Sequence, residues 1–299
     1  MQKNQVYFTK NILTILKQMV KFKVITVMIF SSIIGMLLVP THYLCLTKII
    51  TGLAGISLSA CGSAVLNHLH DQDEDKKMRR TQHRPLVTAK ITPKNAYIFA
   101  LTTVTTSTGI LWRYNNPLCA MLTLATTFGY SIVYTRWLKP STPQNIVIGG
   151  LSGAMPPLLG WSSLTNQIDC EPLVLVLIIF TWTPAHFWPL AIHHSNDYAK
   201  TRWPMLPITH GVLYTKFSII AYTILTMCCS LLPFCISMAG KIYLLVTLIA
   251  NARWLYLCYK LWRQTQYAMH LFTYSIHYLL VIFSTLVIDH SILRSYYTV

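Results

Sequence analysis

Four of the eight acidic residues in this chain lie in one five-residue stretch, from Asp71 to Asp75. Asn67, Asp71 and Asp75 are spaced four residues apart, so on a helix they share one face, each about 6 Å further along the axis than the last. Carboxylate and amide oxygens are hard ligands that suit Mg²⁺, which is usually held by one or two carboxylates together with substrate phosphates. The spacing therefore predicts a magnesium site on these three residues.

A basic run follows the acidic stretch directly. It contains Lys76, Lys77, Arg79, Arg80 and Arg84. Lysine and arginine bind phosphate oxygens through charge-assisted hydrogen bonds, so the two runs together predict a site for magnesium and a diphosphate. A basic run on its own is more often a determinant of membrane topology. The ordered acidic residues beside it favour the functional interpretation.

The elements that must position these residues are membrane helices. The chain is 54% hydrophobic and 11% charged, with a mean hydropathy of +0.47, whereas about 25% of the residues in a soluble domain are charged. We predict an all-α, polytopic bundle of about nine transmembrane helices that forms a single domain over residues 1 to 299. The predicted spans lie near residues 24 to 40, 45 to 66, 96 to 112, 117 to 134, 145 to 160, 173 to 192, 212 to 235, 241 to 259 and 271 to 290. The fifth is short and interrupted by glycine and proline, so we expect it to be tilted or broken.

The distribution of lysine and arginine orients this bundle, because cytoplasmic loops carry the excess. A cytoplasmic N-terminus places the basic N-terminal segment, including Lys3, Lys10 and Lys21, and the whole 67 to 94 loop inside, and the C-terminus outside. The first apolar run follows without a clear cleavage site and is expected to be a retained helix. No Arg- and Ser-rich transit segment is evident, so we expect a bacterial inner (cytoplasmic) membrane, with the polar loops on the cytoplasmic side. The basic residues are divided among short loops, so we expect no nucleic-acid partner.

The segment from Asn67 to Leu86 resembles the N-x-x-x-D-x-x-x-D…M-x-R-T-x-x-R-P-L signature of the UbiA superfamily of intramembrane prenyltransferases. Two further segments, residues 134 to 161 and residues 182 to 207, are similar to the branch of this superfamily that acts on heme. The second contains the sequence W-T-P-A-H-F-W, and the resemblance covers roughly residues 60 to 210. It implies transfer of a farnesyl group from farnesyl diphosphate to the 2-vinyl group of heme b, with addition of water, giving heme O and diphosphate for terminal oxidases. It also implies Mg²⁺ as the cofactor.

The resemblance also implies roles for individual residues. Asn67, Asp71, Asp75 and Asp197 would be the catalytic metal ligands, with Asp197 serving a second Mg²⁺. The diphosphate would be bound by Lys77, Arg80, Arg84, Tyr134 and Lys139. His186 is the candidate heme-binding histidine.

The chain departs from the family pattern at Asn196, Thr201, Glu74 and Pro140, the last of which stands where an arginine is common after Lys139. Asn196 and Thr201 stand beside Asp197 where the family has further acidic residues, so the second metal site is less complete than the first. Glu74 replaces an apolar residue that is common in the first motif.

The sequence leaves two alternative functions open. A prenyltransferase of the same superfamily could act on an aromatic or quinone precursor, although the His186-Phe187-Trp188 stretch argues against that acceptor. An ion-coupled secondary transporter could use the acidic cluster for its coupling ion. For the heme reaction the substrates are farnesyl diphosphate and heme b in the lipid bilayer, and a heme A synthase or a terminal oxidase assembly is a candidate partner.

Overall fold

The computed structural model describes residues 14 to 297, with side chains to residue 295. Helices account for most of this range, and it contains no β-strand. The all-α prediction is confirmed. Lys3 and Lys10, which contributed to the predicted orientation, lie outside the described residues.

Ten α-helices have ten or more residues in the described range. They are α1 (Phe22–Leu37), α2 (Leu46–Asp75), α3 (Pro93–Ile110), α4 (Pro117–Phe128), α5 (Asn145–Ala154), α6 (Pro156–Thr165), α7 (Cys170–His193), α8 (Gly211–Cys235), α9 (Lys241–Arg263) and α10 (Ala268–Tyr297). A π-helical segment, Gly129–Leu138, continues α4 to the short helix Lys139–Ser141.

Each predicted span overlaps one of these helices, and six helical segments within residues 14 to 297 are long and apolar enough to cross a membrane. These are Leu46–Asp75, Pro117–Ser141, Cys170–His193, Gly211–Cys235, Lys241–Arg263 and Thr265–Ser295. The predicted interruption of the fifth span is confirmed, because α5 ends at Ala154 and α6 begins at Pro156. Large apolar side chains cover the outer surface, among them Leu213 at 69% exposure and Ile249 at 63%. A lipid environment explains that surface.

The length of α2 places the acidic stretch at the edge of the bundle. Its 30 residues span about 45 Å, which exceeds a hydrocarbon core of about 30 Å. Asn67 lies about 30 Å along the axis from Leu46. The last two turns of α2, from Asn67 to Asp75, therefore extend beyond the apolar part of the helix.

Helix α7 occupies the centre of the fold. It packs against α5, α6, α8 and α10. Of its most apolar 18-residue stretch, 61% is buried, whereas the corresponding share is 33% to 44% in the other candidate membrane spans of the described range. Leu175, Ile178 and Trp188 are fully enclosed. The remaining helices are arranged around this one, with α2 packed on α3 and α1 on α6.

Two glycines allow α1 and α6 to approach backbone to backbone. A Cβ atom on Gly35 would lie 2.0 Å from the Pro157 carbonyl oxygen, and a Cβ on Gly160 would lie 2.1 Å from the Ser32 carbonyl oxygen. Small residues permit such close helix contacts inside membranes. The reciprocal pair fixes the distance between the two helices.

Gly160→Ala is expected to lower the stability of the protein by about 1 to 3 kcal/mol, because the new methyl group overlaps backbone that cannot rotate away. The matched control is Gly153→Ala in α5, where a Cβ would meet nothing within 4 Å and the helix gains about 0.5 to 1 kcal/mol. Melting temperatures in detergent, followed by circular dichroism, compare the two. Equal melting temperatures would contradict this account of the α1–α6 contact.

Candidate functional site

The last two turns of α2 bury their acidic side chains. Asn67, Asp71 and Asp75 retain 1%, 4% and 1% of their surface, and all three lie on the helix, as their spacing predicts. A carboxylate is costly to bury unless it is paired and hydrogen-bonded. The partners of these three residues therefore define the site.

Each of the three residues contacts a cation from a different part of the chain. The Lys139 ammonium lies 2.6 Å from Asp71 Oδ2, and the Arg84 guanidinium lies 2.5 Å from Asp75 Oδ2. Lys21 donates a hydrogen bond to Asn67 Oδ1. Lys139 and Arg84, both predicted to bind diphosphate, thus meet the predicted metal ligands directly.

Lys21 is a member of the site that sequence analysis assigned only to membrane topology. It precedes α1 and has a left-handed backbone, with φ of 52°, a conformation that is unfavourable for a residue with a Cβ. Burial lowers the pKa of its ammonium to about 7, and the nearby Arg84 acts in the same direction, while Asp71 opposes it. In the sequence, the only property that could have pointed to Lys21 as a site residue was its positive charge in the basic N-terminal segment.

The π-helical segment Gly129–Leu138 forms the wall opposite α2. Thr135 Oγ1 donates to the Tyr130 carbonyl at 2.7 Å and accepts from Asn67 Nδ2 at 3.1 Å. The Tyr134 ring stacks on Tyr130, with ring centroids 5.6 Å apart, and a Cβ on Gly149 would lie 2.0 Å from that ring. π-helical turns are frequent at functional sites, and here the segment leads directly to Lys139.

The loop after α2 is tied back to the helix that precedes it. Thr81 Oγ1 donates to the Asp75 carbonyl at 3.0 Å, and Gln72 Nε2 donates to the Leu86 carbonyl at 3.1 Å. These bonds hold the segment that carries Arg84. The guanidinium is thereby fixed beside Asp75.

Glu74 links this loop to the segment after α7. It is 3% exposed, and it accepts from Lys77 Nζ at 3.0 Å and from the backbone N–H of Arg202 at 3.1 Å. The Arg202 guanidinium lies 3.4 Å from its other oxygen. Lys77, predicted to bind diphosphate, pairs with Glu74 here.

Aromatic residues of the segment after α7 cover the acidic turns. Met78 packs with Tyr198, Trp203 and Met205 in one buried cluster, and the Lys139 ammonium lies 3.6 Å from the centroid of the Trp203 ring. Burial raises the pKa of the Tyr198 phenol, and the adjacent Arg80 opposes this rise. Arg80 thus faces this covering segment.

The other two predicted residues lie in different surroundings. Asp197, proposed for a second metal, pairs with Lys200 at 3.6 Å. The His186 ring is stacked between Trp182 and Phe272, at centroid distances of 4.1 Å and 4.5 Å, and its Nδ1 lies 2.6 Å from Ser275 Oγ. His186 is thus held between α7 and α10.

The oxygen atoms of the acidic turns fit a divalent cation. Asp75 Oδ1 is buried and has no hydrogen-bond partner, and neither ring nitrogen of the buried His68 has one. An unpaired buried polar atom costs about 1 to 3 kcal/mol, so a ligand that uses Asp75 Oδ1 would remove a penalty. The donor set of Asn67, Asp71 and Asp75 is hard oxygen, as Mg²⁺ requires. Within the described residues, no three His, Cys, Asp or Glu side chains are grouped as metal ligands, so the candidate set here consists of two carboxylates completed by the Asn67 amide.

Comparisons with known proteins agree with this architecture. Residues 28–281 match the UbiA prenyltransferase family. The chain is 44% identical over 281 residues to the protoheme IX farnesyltransferase of Stutzerimonas stutzeri, covering 93% of this chain and 94% of that protein. It is 46% identical over 278 residues to protoheme IX farnesyltransferase 1 of Pseudomonas fluorescens, covering 92% and 93% of the two chains.

Solved structures share the fold at low sequence identity. A digeranylgeranylglyceryl phosphate synthase aligns with a TM-score of 0.77 and 16% identity, over 93% of this chain and 98% of its own. A UbiA homologue from Archaeoglobus fulgidus, solved with DMAPP and Mg²⁺, aligns with a TM-score of 0.68 and 14% identity, over 91% and 98%. At these identities the likeness shows the fold alone.

Lys139→Met is expected to destabilise the protein by about 3 to 5 kcal/mol, because it leaves the buried Asp71 carboxylate without its cation. The double variant Lys139→Met, Asp71→Leu should recover most of that loss, since neither charge then remains. Lys76→Met is the control, because its pair with Asp73 is exposed. Melting temperatures in detergent measure all three, and a loss in the control as large as in Lys139→Met would rule out burial as the cause.

Proposed function

We propose, since the chain belongs to the UbiA prenyltransferase family, that it transfers a farnesyl group from farnesyl diphosphate to the 2-vinyl group of heme b. Addition of water then gives heme O, and diphosphate is released. The identity of about 45% to protoheme IX farnesyltransferases over more than nine-tenths of the chain supports the heme acceptor. The buried acidic and basic cluster supports the diphosphate chemistry.

The first bond to break joins the farnesyl carbon to the diphosphate oxygen, and the electron pair leaves with the diphosphate. Cations aimed at the developing charge stabilise that departure. Lys21, Lys139 and Arg84 are gathered around one group of oxygens, so three basic side chains are in position before substrate arrives. Bound at Asn67, Asp71 and Asp75, Mg²⁺ would supply further neutralisation of the leaving diphosphate.

The allylic cation left behind must be kept from water until the vinyl carbon attacks it. The covering residues Met78, Trp203 and Met205 are at most 6% exposed, so the acidic turns are shielded on that side. Aromatic faces attract cations, and the tyrosine pair Tyr130 and Tyr134 lies on the wall opposite α2. After the carbon–carbon bond forms, water adds to the resulting heme cation and releases a proton.

We further propose the topology and setting of the enzyme. The protein would cross a bacterial inner membrane nine times, as a single domain over residues 1 to 299. Its N-terminus and the acidic turns would lie on the cytoplasmic side, and its C-terminus would lie outside. The excess of basic residues in the loops assigned to the cytoplasm supports this orientation. A second Mg²⁺ at Asp197 and delivery of heme O to a heme A synthase or an oxidase assembly belong to the same proposal.

Asp71→Asn and Asp75→Asn are each expected to lower heme O formation more than about 100-fold, because each removes a carboxylate that would hold the Mg²⁺ that neutralises the leaving diphosphate. Asp73→Asn is the matched control in the same stretch, since Asp73 is 84% exposed and should leave the rate unchanged. Mass spectrometry of heme from membranes supplied with heme b, farnesyl diphosphate and Mg²⁺ gives the readout.

The products separate the alternatives. Pyrophosphate release without modified heme would support prenyl transfer and overturn heme as the acceptor. Aromatic and quinone precursors would then be screened as acceptors. Neither product, together with solute flux into vesicles, would favour the transporter. Full activity in both Asp71→Asn and Asp75→Asn would overturn the assigned site.

Arg84→Lys is expected to raise the KM for farnesyl diphosphate about tenfold, because lysine retains the charge and loses the planar pair of donors that matches phosphate oxygens. Arg79→Lys is the control, since Arg79 is an exposed residue of the same loop. Steady-state kinetics at saturating heme b measure both. A KM in Arg84→Lys equal to that in Arg79→Lys would remove Arg84 from the diphosphate site.

A further inference from the structure

An arginine in the middle of α9 is not explained by the site described above. Arg253 lies about 18 Å along the axis from Lys241 and about 15 Å from Arg263, in a 23-residue helix. Its side chain is shorter than either distance and is exposed on the surface of the bundle. A lipid-facing charge at this depth is expensive and indicates a functional role.

Arg253 lies in a groove formed by facing stripes of two helices. The α9 stripe contains Val246, Ile249, Ala250, Arg253 and Leu257, and the α10 stripe contains His270, Thr273, Tyr274, His277, Tyr278 and Val281. Both stripes follow the three- and four-residue spacing of one helix face. From His270 to Val281 the groove, here called the α9–α10 groove, extends about 16 Å.

The groove contains two adjoining cavities that share Arg253, Tyr274 and His277. Their volumes are about 470 Å³ and 350 Å³, within the range of about 300 to 1,000 Å³ for small-molecule sites. The Tyr274 hydroxyl donates to the Ala250 carbonyl at 2.7 Å, and this hydrogen bond joins α10 to α9 within the groove. The groove is therefore a formed cleft that opens to lipid.

The polar groups of the groove are one guanidinium and two imidazoles, together with the hydroxyls of Thr273, Tyr274 and Tyr278. Among the described residues, no Asp or Glu lines either cavity, and none of the ion pairs involves Arg253. The Arg253 guanidinium lies 5.3 Å from the centroid of the Tyr274 ring. The imidazoles of His270 and His277 are exposed. A flat, largely apolar ligand with an anionic end and an imidazole-binding metal matches these groups.

We propose that the α9–α10 groove binds heme b from the bilayer, with His277 as the iron ligand and Arg253 as the partner of a propionate carboxylate. The inference rests on the proposed function, because heme b is its acceptor substrate. His277 is assigned over His270 because it lines both cavities together with Arg253. The opposite face of α10 carries Phe272 and Ser275, which contact His186, so one helix separates the groove from the predicted heme-binding histidine.

Ferric heme b titrated into the full-length protein, in nanodiscs of phosphatidylcholine and without farnesyl diphosphate, tests this assignment through the Soret absorption. His277→Ala is expected to lose the histidine-ligated spectrum and to raise the Kd for heme about tenfold or more, and added imidazole should restore the spectrum. Arg253→Gln is expected to raise the Kd about ten- to one-hundredfold without moving the Soret maximum, through loss of a charged hydrogen bond.

The controls are matched by chemistry and lie elsewhere on the bundle. Arg113→Gln removes another arginine that lies over a tyrosine ring, and His42→Ala removes another exposed histidine; both should bind heme as the unaltered protein does. Wild-type spectra and affinities in both His277→Ala and Arg253→Gln would overturn the proposal. The proposal would also be overturned if phosphatidylglycerol competed with heme and this competition depended on Arg253 but not on His277, because the groove would then be a phospholipid site.

Heme O formation, measured separately on the unaltered protein, distinguishes the two levels of inference. If the protein forms heme O but His277→Ala has the wild-type Soret spectrum, the proposed groove is overturned and the reaction stands. A His277-dependent spectrum without heme O or pyrophosphate would overturn the reaction and support the groove.

Discussion

The site depends on the burial of two carboxylates in the last turns of α2. Asp71 and Asp75 can be enclosed only because Lys139 and Arg84 approach within 2.6 Å and 2.5 Å. Those two cations come from the end of the α4 extension and from the loop after α2, so pairing brings separate parts of the chain to one point. Lys21 adds the start of α1 through Asn67. The convergence of these segments follows from one electrostatic requirement.

In the proposed reaction, the same requirement would prepare the site for an anionic substrate. Cations that neutralise buried carboxylates are already desolvated and oriented, so little reorganisation remains when a diphosphate arrives. Removing one member of a buried pair is far more costly than removing an exposed one. Under the proposed function, substitution of Lys139 or Asp71 would therefore lower stability and activity together, whereas substitution of the exposed Lys76 or Asp73 would change neither much.

Local sequence patterns predicted much of the helical fold. The shared face of Asn67, Asp71 and Asp75 follows from helix periodicity, and the break between α5 and α6 follows from Pro156 and its neighbouring glycines. Lys21 was missed as a site residue because its contact joins residues 46 positions apart, with Lys21 before α1 and Asn67 in α2. The wall made by Thr135 and Tyr130 depends on π-helical turns, which hydrophobic periodicity does not report.

Glu74 shows why a departure from a family pattern can be structural. A carboxylate at a buried position common to apolar residues would be unfavourable alone. Here it accepts a backbone N–H as well as two side-chain cations, Lys77 and Arg202. The backbone bond fixes the path of the covering segment whatever the Arg202 side chain does. Two acids of the stretch thus set the charge of the site, and Glu74, from the same helical turns, holds its cover in place.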